Sequence, residues 1–370
     1  MTEGAASALT DQRKLIFITG ASRSGTTLLS FVLRNHREVF GLKELQYFGQ
    51  AWDPLAGPKR LSTTQALAAA ATLFARQQHG ILAPRVGPAE RDAAAKLVGE
   101  LGSNAAEPAL LYAAAVHGLT RAAGKTIPCE QTPRYIFYAR ELLRVYPAAH
   151  VVHIVRDPRA VMASQKMRWQ LRQNAASGAA IPRYEALRVW VNYHPYTIAR
   201  LWARATATAL ELSGHPRVTV LKFEDLLQQP EATVRELCSR LGLEYDARML
   251  DVKQINSSHQ SSVGGARGGL HASAIGKWRE VLSPSEIGVT EQSCGQLMRR
   301  CAYELTAPAP MSLPRKLALD ISYLAHLAGV LLVNPRRAYV QGTALFRSRS
   351  GNDGNKAAAE TTASHDNPPG

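Results

Sequence analysis

A loop rich in glycine and serine, placed between an apolar run and a helical pattern, constrains the fold of this chain most. Residues 14–19 (KLIFIT) are apolar and β-branched, which predicts a buried parallel strand. The loop Gly20–Thr27 follows, and apolar residues recurring at helical spacing over 26–33 predict a helix. This order brings successive backbone N–H groups and a helix N-terminus together, an arrangement that binds phosphate oxygens.

Two later apolar runs predict the same kind of unit. Residues 150–155 (HVVHIV) and 217–223 (RVTVLKF) are expected to form buried strands. A helical pattern follows each of them, and the helix at 231–241 begins directly after Pro230. Strands that alternate with helices predict an α/β fold, a P-loop-type parallel sheet flanked by helices.

The domain built on this sheet is expected to span residues 14–305. The Ala- and Leu-rich stretch 61–123 predicts several helices inserted into it. The polar residues 1–13 are expected to be flexible, and they do not have the apolar run of a secretion signal. Residues 349–370 have few apolar side chains and are expected to be disordered.

Residues 306–348 are expected to form a helical C-terminal extension. Within it, residues 317–333 are apolar except for Asp320 and His326, and this segment is shorter than the roughly 20 residues that a spanning helix needs. Two alternatives stay open: a helix packed on the domain, or a helix in a membrane interface. In the second, the basic residues within 315–337 would meet anionic lipid headgroups.

The formal net charge of +15 indicates an anionic partner: a nucleotide, an acidic lipid surface, a glycan or nucleic acid. No helix-turn-helix or aromatic-rich RNA motif accompanies the charge, which argues against a nucleic-acid-binding protein. The four cysteines occur singly, so neither a zinc site nor a disulfide framework is predicted. We therefore expect a cytoplasmic protein that needs no metal, located at the inner face of the membrane if the extension is interfacial.

The phosphate loop differs from the Walker A motif of nucleotide kinases and NTPases. That motif places a lysine before its Ser or Thr, and here Thr26 stands at the lysine position. The basic residue of the loop comes earlier, at Arg23. A P-loop kinase or NTPase remains the alternative function, although the missing lysine weakens it.

The segment Arg23–Thr27 (RSGTT) resembles the phosphosulfate loop of the sulfotransferase superfamily that uses 3'-phosphoadenosine 5'-phosphosulfate (PAPS). The likeness is greatest to tyrosylprotein sulfotransferases and their bacterial relatives, and it extends through several motifs from about residue 15 to 304. It implies that PAPS is the co-substrate. The residues that it implies for the 5'-phosphosulfate are Arg23, Ser24, Gly25, Thr26 and Thr27.

The same resemblance implies a second site, for the 3'-phosphate. Arg156 ends the HVVHIV strand and Ser164 follows eight residues later, the spacing typical of the family, and Arg168 lies one helical turn further on. A guanidinium and a hydroxyl both donate hydrogen bonds to phosphate oxygens. The alternative for Arg156 is a structural ion pair with Asp157.

A loop that closes over the nucleotide in the family is matched by Ser257 and by Lys277, which precedes Trp278. For Lys277 the alternative is a surface lysine beside a buried tryptophan. The family's YEDL segment is matched at 222–246, where Phe223 replaces the tyrosine, so a nucleotide contact through that hydroxyl is absent.

The catalytic base that the resemblance implies is Glu44, which lies 21 residues after Arg23 as in the tyrosylprotein enzymes. Arg23 would stabilise the charge that develops on the leaving phosphate. Without the family, Glu44 would be interpreted as a solvated pair with Lys43. His117 and His153 are the alternative bases, by analogy with the branch of the superfamily that uses histidine.

The segment 129–135 (CEQTPRY) departs from the family's KTP motif, because Gln131 stands where the lysine that stabilises the transferred group would be. Compensation is expected from Arg23, Arg134 or Lys277. Lys125 would supply the charge only if the loop folded differently.

The resemblance as a whole implies a PAPS-dependent O-sulfotransferase. Its acceptor would be a hydroxyl group on a glycan, a glycolipid or a small metabolite. The helical insertion at 61–123 would then lie on the acceptor side of the sheet.

Overall fold

A parallel five-stranded sheet with helices on both faces organises the protein, as the sequence predicted. The computed structural model describes residues 13–57, 59–80, 86–173, 193–252, 270, 272, 275–306 and 312–333. The strands, all parallel and arranged in the order β2-β3-β1-β4-β5, are β1 Leu15–Gly20, β2 Val39–Leu42, β3 Ile127–Gln131, β4 Ala149–Val155 and β5 Val218–Lys222.

The central strand β1 is buried on both faces. Leu15 and Phe17 belong to the apolar core on one side of the sheet, and Ile16 and Ile18 belong to the core on the other side. Alternate residues of a strand point to opposite faces, and a parallel sheet covered by helices has no solvent face. Residues 15–18 are apolar without interruption because both faces of this strand are buried.

Helices connect and cover the strands, and several of them fill the stretch 61–123. The α-helices in chain order are α1 Thr26–Arg34, α2 Thr63–His79, α3 Pro88–Leu101, α4 Pro108–Ala122, α5 Ala139–Val145, α6 Pro158–Gln173, α7 Pro195–Glu211, α8 Phe223–Gln228, α9 Pro230–Leu241, α10 Trp278–Val281, α11 Pro284–Arg300 and α12 Leu313–Val333. Short 3-10 helices occupy 54–56, 102–106, 133–138 and 247–250.

An aromatic cluster fixes the segment that follows β2. The ring of Phe48 lies 4.7 Å from that of Tyr112, 4.8 Å from that of Tyr135 and 6.0 Å from that of Phe17, measured between centroids. Aromatic pairs at these separations add to the stabilisation from burial. The chain beyond β2 is therefore anchored over one face of the sheet.

Two strands, β2 and β3, are absent from the sequence prediction. β2 has only four residues, and one of them is Gly41. β3 contains Pro128, which cannot donate a ladder hydrogen bond, and the carboxylate of Glu130, so its composition argues against a central strand. Both strands form because tertiary packing overrides local preference.

β1 pairs with β3 on one side and with β4 on the other. The carboxyl ends of parallel neighbours meet at one edge of a sheet, so the loop after β1 faces the residues that follow β3 and β4. Ligands of open α/β sheets bind at this edge.

The helix α12 covers the apolar part of the C-terminal extension. Among the described helices, none combines the length and the hydrophobicity that crossing a bilayer requires. The tail at 349–370 and the start at 1–12 lie outside the described residues.

Candidate functional site

The loop after β1 has the geometry of an anion site. Arg23 and Gly25 both have positive φ angles, of 76° and 100°, and the N–H of Ser24 donates to the carbonyl of Ala21 at 3.0 Å. Gly25 is the N-cap of α1, no side chain caps the helix, and its first turn has no acidic residue. The N-terminal amides and dipole of α1 therefore favour a bound anion.

Gly25 is required for a steric reason as well as a conformational one. A Cβ atom built at this position would lie 2.4 Å from Cδ2 of Phe223, the first residue of α8. Any side chain here would also hold the left-handed conformation that L residues rarely adopt. The phenyl ring of Phe223 thus packs directly against the backbone of the loop.

Arg23, Arg156 and Ser164 meet at the edge where β1 and β4 end. The Nε of Arg23 donates to the Oγ of Ser164 at 3.1 Å, and the Nη1 of Arg156 donates to the carbonyl of Arg23 at 3.1 Å. The indole N–H of Trp202 donates to the carbonyl of Arg156 at 2.8 Å. Residues separated by more than 130 positions along the chain therefore meet at one edge of the sheet.

The ion-pair alternative for Arg156 is wrong. The carboxylate of Asp157 binds the guanidinium of Arg159, with the closest atoms 2.8 Å apart, and Arg159 also binds Glu291 at 2.7 Å. Arg156 instead lies over the ring of Phe223, with its guanidinium carbon 4.4 Å from the ring centroid. Its guanidinium therefore lies between that ring and the phosphate loop, where its Nη1 donates to the carbonyl of Arg23.

Two buried polar atoms at this edge of the sheet have no hydrogen-bond partner among the described residues: the Oγ of Ser24 and the Nε of Arg156. An unpaired buried donor is costly, and the usual explanation is a missing ligand or water. Burial lowers the pKa of the guanidinium groups of Arg23 and Arg156, and Arg23 adds repulsion at Arg156 that the carboxylate of Glu224 opposes. A bound phosphate would relieve both costs, so the donor set fits a phosphorylated nucleotide.

Glu44 lies two residues beyond β2, at the same edge of the sheet. Its Oε1 accepts a hydrogen bond from the side-chain amide of Gln46 at 2.6 Å. Lys43 is not its partner, because the Nζ of Lys43 donates to the carbonyl of Gln78 at 2.7 Å. The guanidinium of Arg76 fixes the backbone that follows, donating to the carbonyl of Leu45 at 2.6 Å.

A fully buried carboxyl, which the sequence analysis missed, supports the Glu44 segment. The Oε1 of Glu130 accepts from the N–H of Leu45 at 3.1 Å and from the hydroxyl of Thr132 at 2.7 Å, and the Tyr112 hydroxyl donates to its Oε2. Burial raises the pKa of Glu130 to about 7, although these hydrogen bonds oppose the rise. No strand is predicted around Glu130, so the sequence carries no signal for this network.

Gln131 contacts the phosphate loop. The hydroxyl of Thr27 donates to its Oε1 at 3.2 Å, which places the side chain at the end of β3 beside the start of α1. Lys125 does not take the place of the missing lysine. It lies before β3, at the opposite edge of the sheet, and its Nζ donates to the carbonyl of His36 at 2.7 Å.

The two alternative bases are core residues. His153 lies inside β4, its Nδ1 is 3.0 Å from the Thr19 hydroxyl, and burial lowers its pKa to about 3. His117 is buried in α4, and burial lowers its pKa to about 4. Burial of both imidazoles in the core argues against either of them as the base.

Lys277 is half-buried and directly precedes α10. Trp278, the next residue, is buried, and the guanidinium carbons of Arg159 and Arg279 lie 4.1 and 4.4 Å from its ring centroid. Ser257 and the side chain of Arg168 lie outside the described residues.

Comparison with known proteins is consistent with this geometry. A model of the sulfotransferase family matches residues 16–247, more than half of the chain. Nodulation protein NoeE of Sinorhizobium fredii is 25% identical over 303 residues, which cover 78% of this chain and 66% of that protein. Human carbohydrate sulfotransferase 5 is 27% identical over 191 residues, 46% of this chain and 43% of that protein. The chain thus spans between about two fifths and two thirds of the length of these relatives.

Two solved structures share the fold. The sulfotransferase domain from the curacin biosynthetic pathway has a TM-score of 0.51 at 18% identity, covering 80% of this chain and 99% of that one. The sulfotransferase domain of the Synechococcus PCC 7002 olefin synthase has a TM-score of 0.51 at 20% identity, covering 80% and 97%. At these identities the likeness establishes the fold alone.

Proposed function

The chain belongs to the sulfotransferase family, and from this premise we propose that it transfers the sulfuryl group of PAPS to a hydroxyl group of an acceptor. One observation carries the proposal. The loop after β1 and the strand end at Arg156 are joined by direct hydrogen bonds at one edge of the sheet. A nucleotide that bears phosphate on both sides of its ribose matches two adjacent cationic sites.

The 5'-phosphosulfate is assigned to the loop. The backbone N–H groups of Gly25, Thr26 and Thr27 and the side chain of Arg23 would hold it, since the loop opens on an uncapped helix N-terminus. The unpartnered Oγ of Ser24 supplies a further donor.

The 3'-phosphate is assigned to Arg156 and Ser164, with Arg168, Ser257 and Lys277 as further contributors from the family resemblance. The unpartnered Nε of Arg156 supports this assignment. The Phe223 ring fixes the plane of the guanidinium and so orients its remaining donors.

Glu44 is assigned as the general base. β3 separates β2 from β1, so the ends of these two strands lie about 10 Å apart, and an acceptor hydroxyl would fit between the carboxylate and the loop. In the reaction the hydroxyl oxygen bonds to sulfur as the bond from sulfur to the bridging phosphate oxygen breaks, and the hydroxyl proton passes to Glu44. Arg23 and the loop amides neutralise the charge that the leaving phosphate acquires.

Gln131 brings an amide, and no charge, to the position of the family's lysine. Its Oε1 already accepts from Thr27, so its NH₂ group is the donor that would face the transferred group. Arg23 then supplies the positive charge nearest to the loop, with Arg134 and Lys277 as the other cations assigned to this role.

The acceptor that the relatives favour is a carbohydrate hydroxyl, since one of them is named as a carbohydrate sulfotransferase. A glycan or a glycolipid belongs to this class, and a small metabolite is the remaining candidate. The helices of residues 61–123 are proposed to shape this side of the site.

The experiment is incubation of the full chain with PAPS labelled in its sulfuryl group and a cell extract. We expect label in a product and release of one equivalent of adenosine 3',5'-bisphosphate (PAP) for each labelled molecule. The matched Glu44→Gln protein should stay near background. If no PAP is released with any extract, the proposal is wrong, whereas full activity of Glu44→Gln would reject only the assigned base.

A further inference from the structure

The helix α12 exposes an uninterrupted apolar face, which we call the outer face. At 100° per residue its members lie on one side of the helix, and all of them are exposed: Leu313, Leu317, Ala318, Ile321, Leu324, Ala325, Ala328 and Leu332. Leu317 and Ile321, at its centre, are 59% and 60% exposed. A contiguous apolar surface of this kind marks an interaction site.

The opposite side of α12, which packs on the domain, is the polar one. The hydroxyl of Tyr323 accepts from Nη1 of Arg200 at 2.8 Å, and the His326 ring lies 5.0 Å from the ring of His194. Asp320 accepts a hydrogen bond from Tyr196. A helix at a water-exposed surface turns its apolar side inward, so the reversed polarity of α12 indicates that water is not the medium that its outer face meets.

A cationic cavity lies beside the outer face. It has a volume of about 390 Å³, and its charged lining residues are Arg200, Lys316 and the single carboxylate Asp320. Leu324 belongs both to the cavity lining and to the outer face, so the cavity flanks the apolar surface. The two cations outnumber the one carboxylate, which already accepts a hydrogen bond from Tyr196, and the cavity is large enough to admit a phosphate group at the level where the apolar surface ends.

We propose that α12 docks the protein in the interface of an anionic phospholipid membrane, with the outer face among the acyl chains and the cavity on a headgroup phosphate. The charge of the chain is complementary to such a surface: the net charge is +15, Arg315 and Lys316 begin the helix, and Arg336 and Arg337 follow it in the sequence. Interfacial helices combine an apolar side with flanking basic residues in this way. This inference stands independently of the sulfuryl-transfer proposal.

A second copy of the chain is the competing occupant, and charge argues against it. Pairing two outer faces would bring together two chains that each carry a net charge of +15. Like charges at an interface are unfavourable, whereas an anionic bilayer neutralises them.

Flotation of the full chain with phosphatidylcholine vesicles, with and without phosphatidylglycerol, tests the proposal. We expect the protein to float with the vesicles that contain phosphatidylglycerol. Leu317→Asp and Ile321→Asp should each lower the partition coefficient at least about tenfold, because each removes an inserted side chain and adds a repelled charge. Lys316→Ala should lower binding to the phosphatidylglycerol vesicles only.

Leu201→Asp is the matched control, since Leu201 is a leucine of α7 that is 48% exposed. It is displaced by about 100° around α7 from Arg200, the contact of α12, and its substitution should leave flotation unchanged. Circular dichroism verifies that each variant is folded. Wild-type protein that fails to float, or equal flotation of Ile321→Asp and wild type, overturns the proposal. So does a dimer in light scattering that Ile321→Asp dissociates while vesicle binding is absent.

Discussion

Replacing Arg156 by alanine tests the assigned 3'-phosphate site most sharply. The substitution deletes a charge whose Nε has no partner among the described residues. It also removes the hydrogen bond to the carbonyl of Arg23 and the contact with the ring of Phe223. The fold should persist, because the carboxylate of the neighbouring Asp157 is already neutralised by Arg159.

The expected loss follows from the kind of contact. A hydrogen bond to a charged group contributes about 1.5–3 kcal/mol, so Arg156→Ala should weaken PAP binding roughly ten- to a hundredfold. The loss should be smaller for adenosine 5'-monophosphate, which has no 3'-phosphate. Arg156→Lys should fall between, since a lysine keeps the charge and loses the planar fork of donors.

Isothermal titration of PAP and of adenosine 5'-monophosphate into each protein measures these changes. Arg217→Ala is the matched control: its guanidinium donates to the carbonyls of Leu143 and Tyr146 at the opposite edge of the sheet, and PAP binding should stay unchanged. PAP affinity that Arg156→Ala leaves intact would refute the assignment. An equal loss of PAP affinity in Arg217→Ala would show that the net charge of the protein, and not a contact of Arg156, causes the weaker binding.

Three other substitutions test separate parts of the site. Glu44→Gln should lower turnover by roughly two to four orders of magnitude in the PAPS assay, because it removes the base. PAP affinity should stay within about twofold, because glutamine keeps the shape of the side chain. A fully active variant would place the base elsewhere. Gly25→Ala should lower the free energy of unfolding in urea by about 2 kcal/mol or more and abolish PAP binding, because its Cβ would collide with the ring of Phe223. The control Gly99→Ala should be tolerated, since no atom lies near its Cβ. The pKa of Glu130 is about 7 in the folded protein, against 4.5 for the free group. The folded state therefore holds the proton more tightly than the unfolded state, and the free energy of unfolding falls as pH rises from about 4.5 to 7. This contribution is on the order of 3 kcal/mol and should be missing in Glu130→Gln; parallel pH profiles of the two proteins would contradict it.

The frame of the site could be predicted from the sequence because it depends on local patterns. The apolar run of β1, the loop after it and the helix α1 follow one another along the chain, and each has its own composition. The meeting of Arg23 with Arg156 was expected from the family resemblance. Its physical cause is the pairing of β1 with β4, which places two strand ends side by side.

The support of Glu44 could not be predicted in the same way. It depends on β2, which is short, and on β3, which contains a proline, so pattern analysis misses both strands. It also depends on Glu130, whose carboxyl holds the segment only because three parts of the chain converge on it. The direction of the outer face of α12 was equally hidden. Periodicity shows that a helix has an apolar side, but only packing decides which side meets the domain.

Titration of PAP against ATP with Mg²⁺ into the full chain tests most directly whether one bisphosphorylated adenosine occupies both anion sites. We predict one PAP bound per chain, with ATP binding far more weakly, because no lysine of the loop meets its terminal phosphates and Arg156 would lack its phosphate. Tight binding of ATP without binding of PAP would contradict the account.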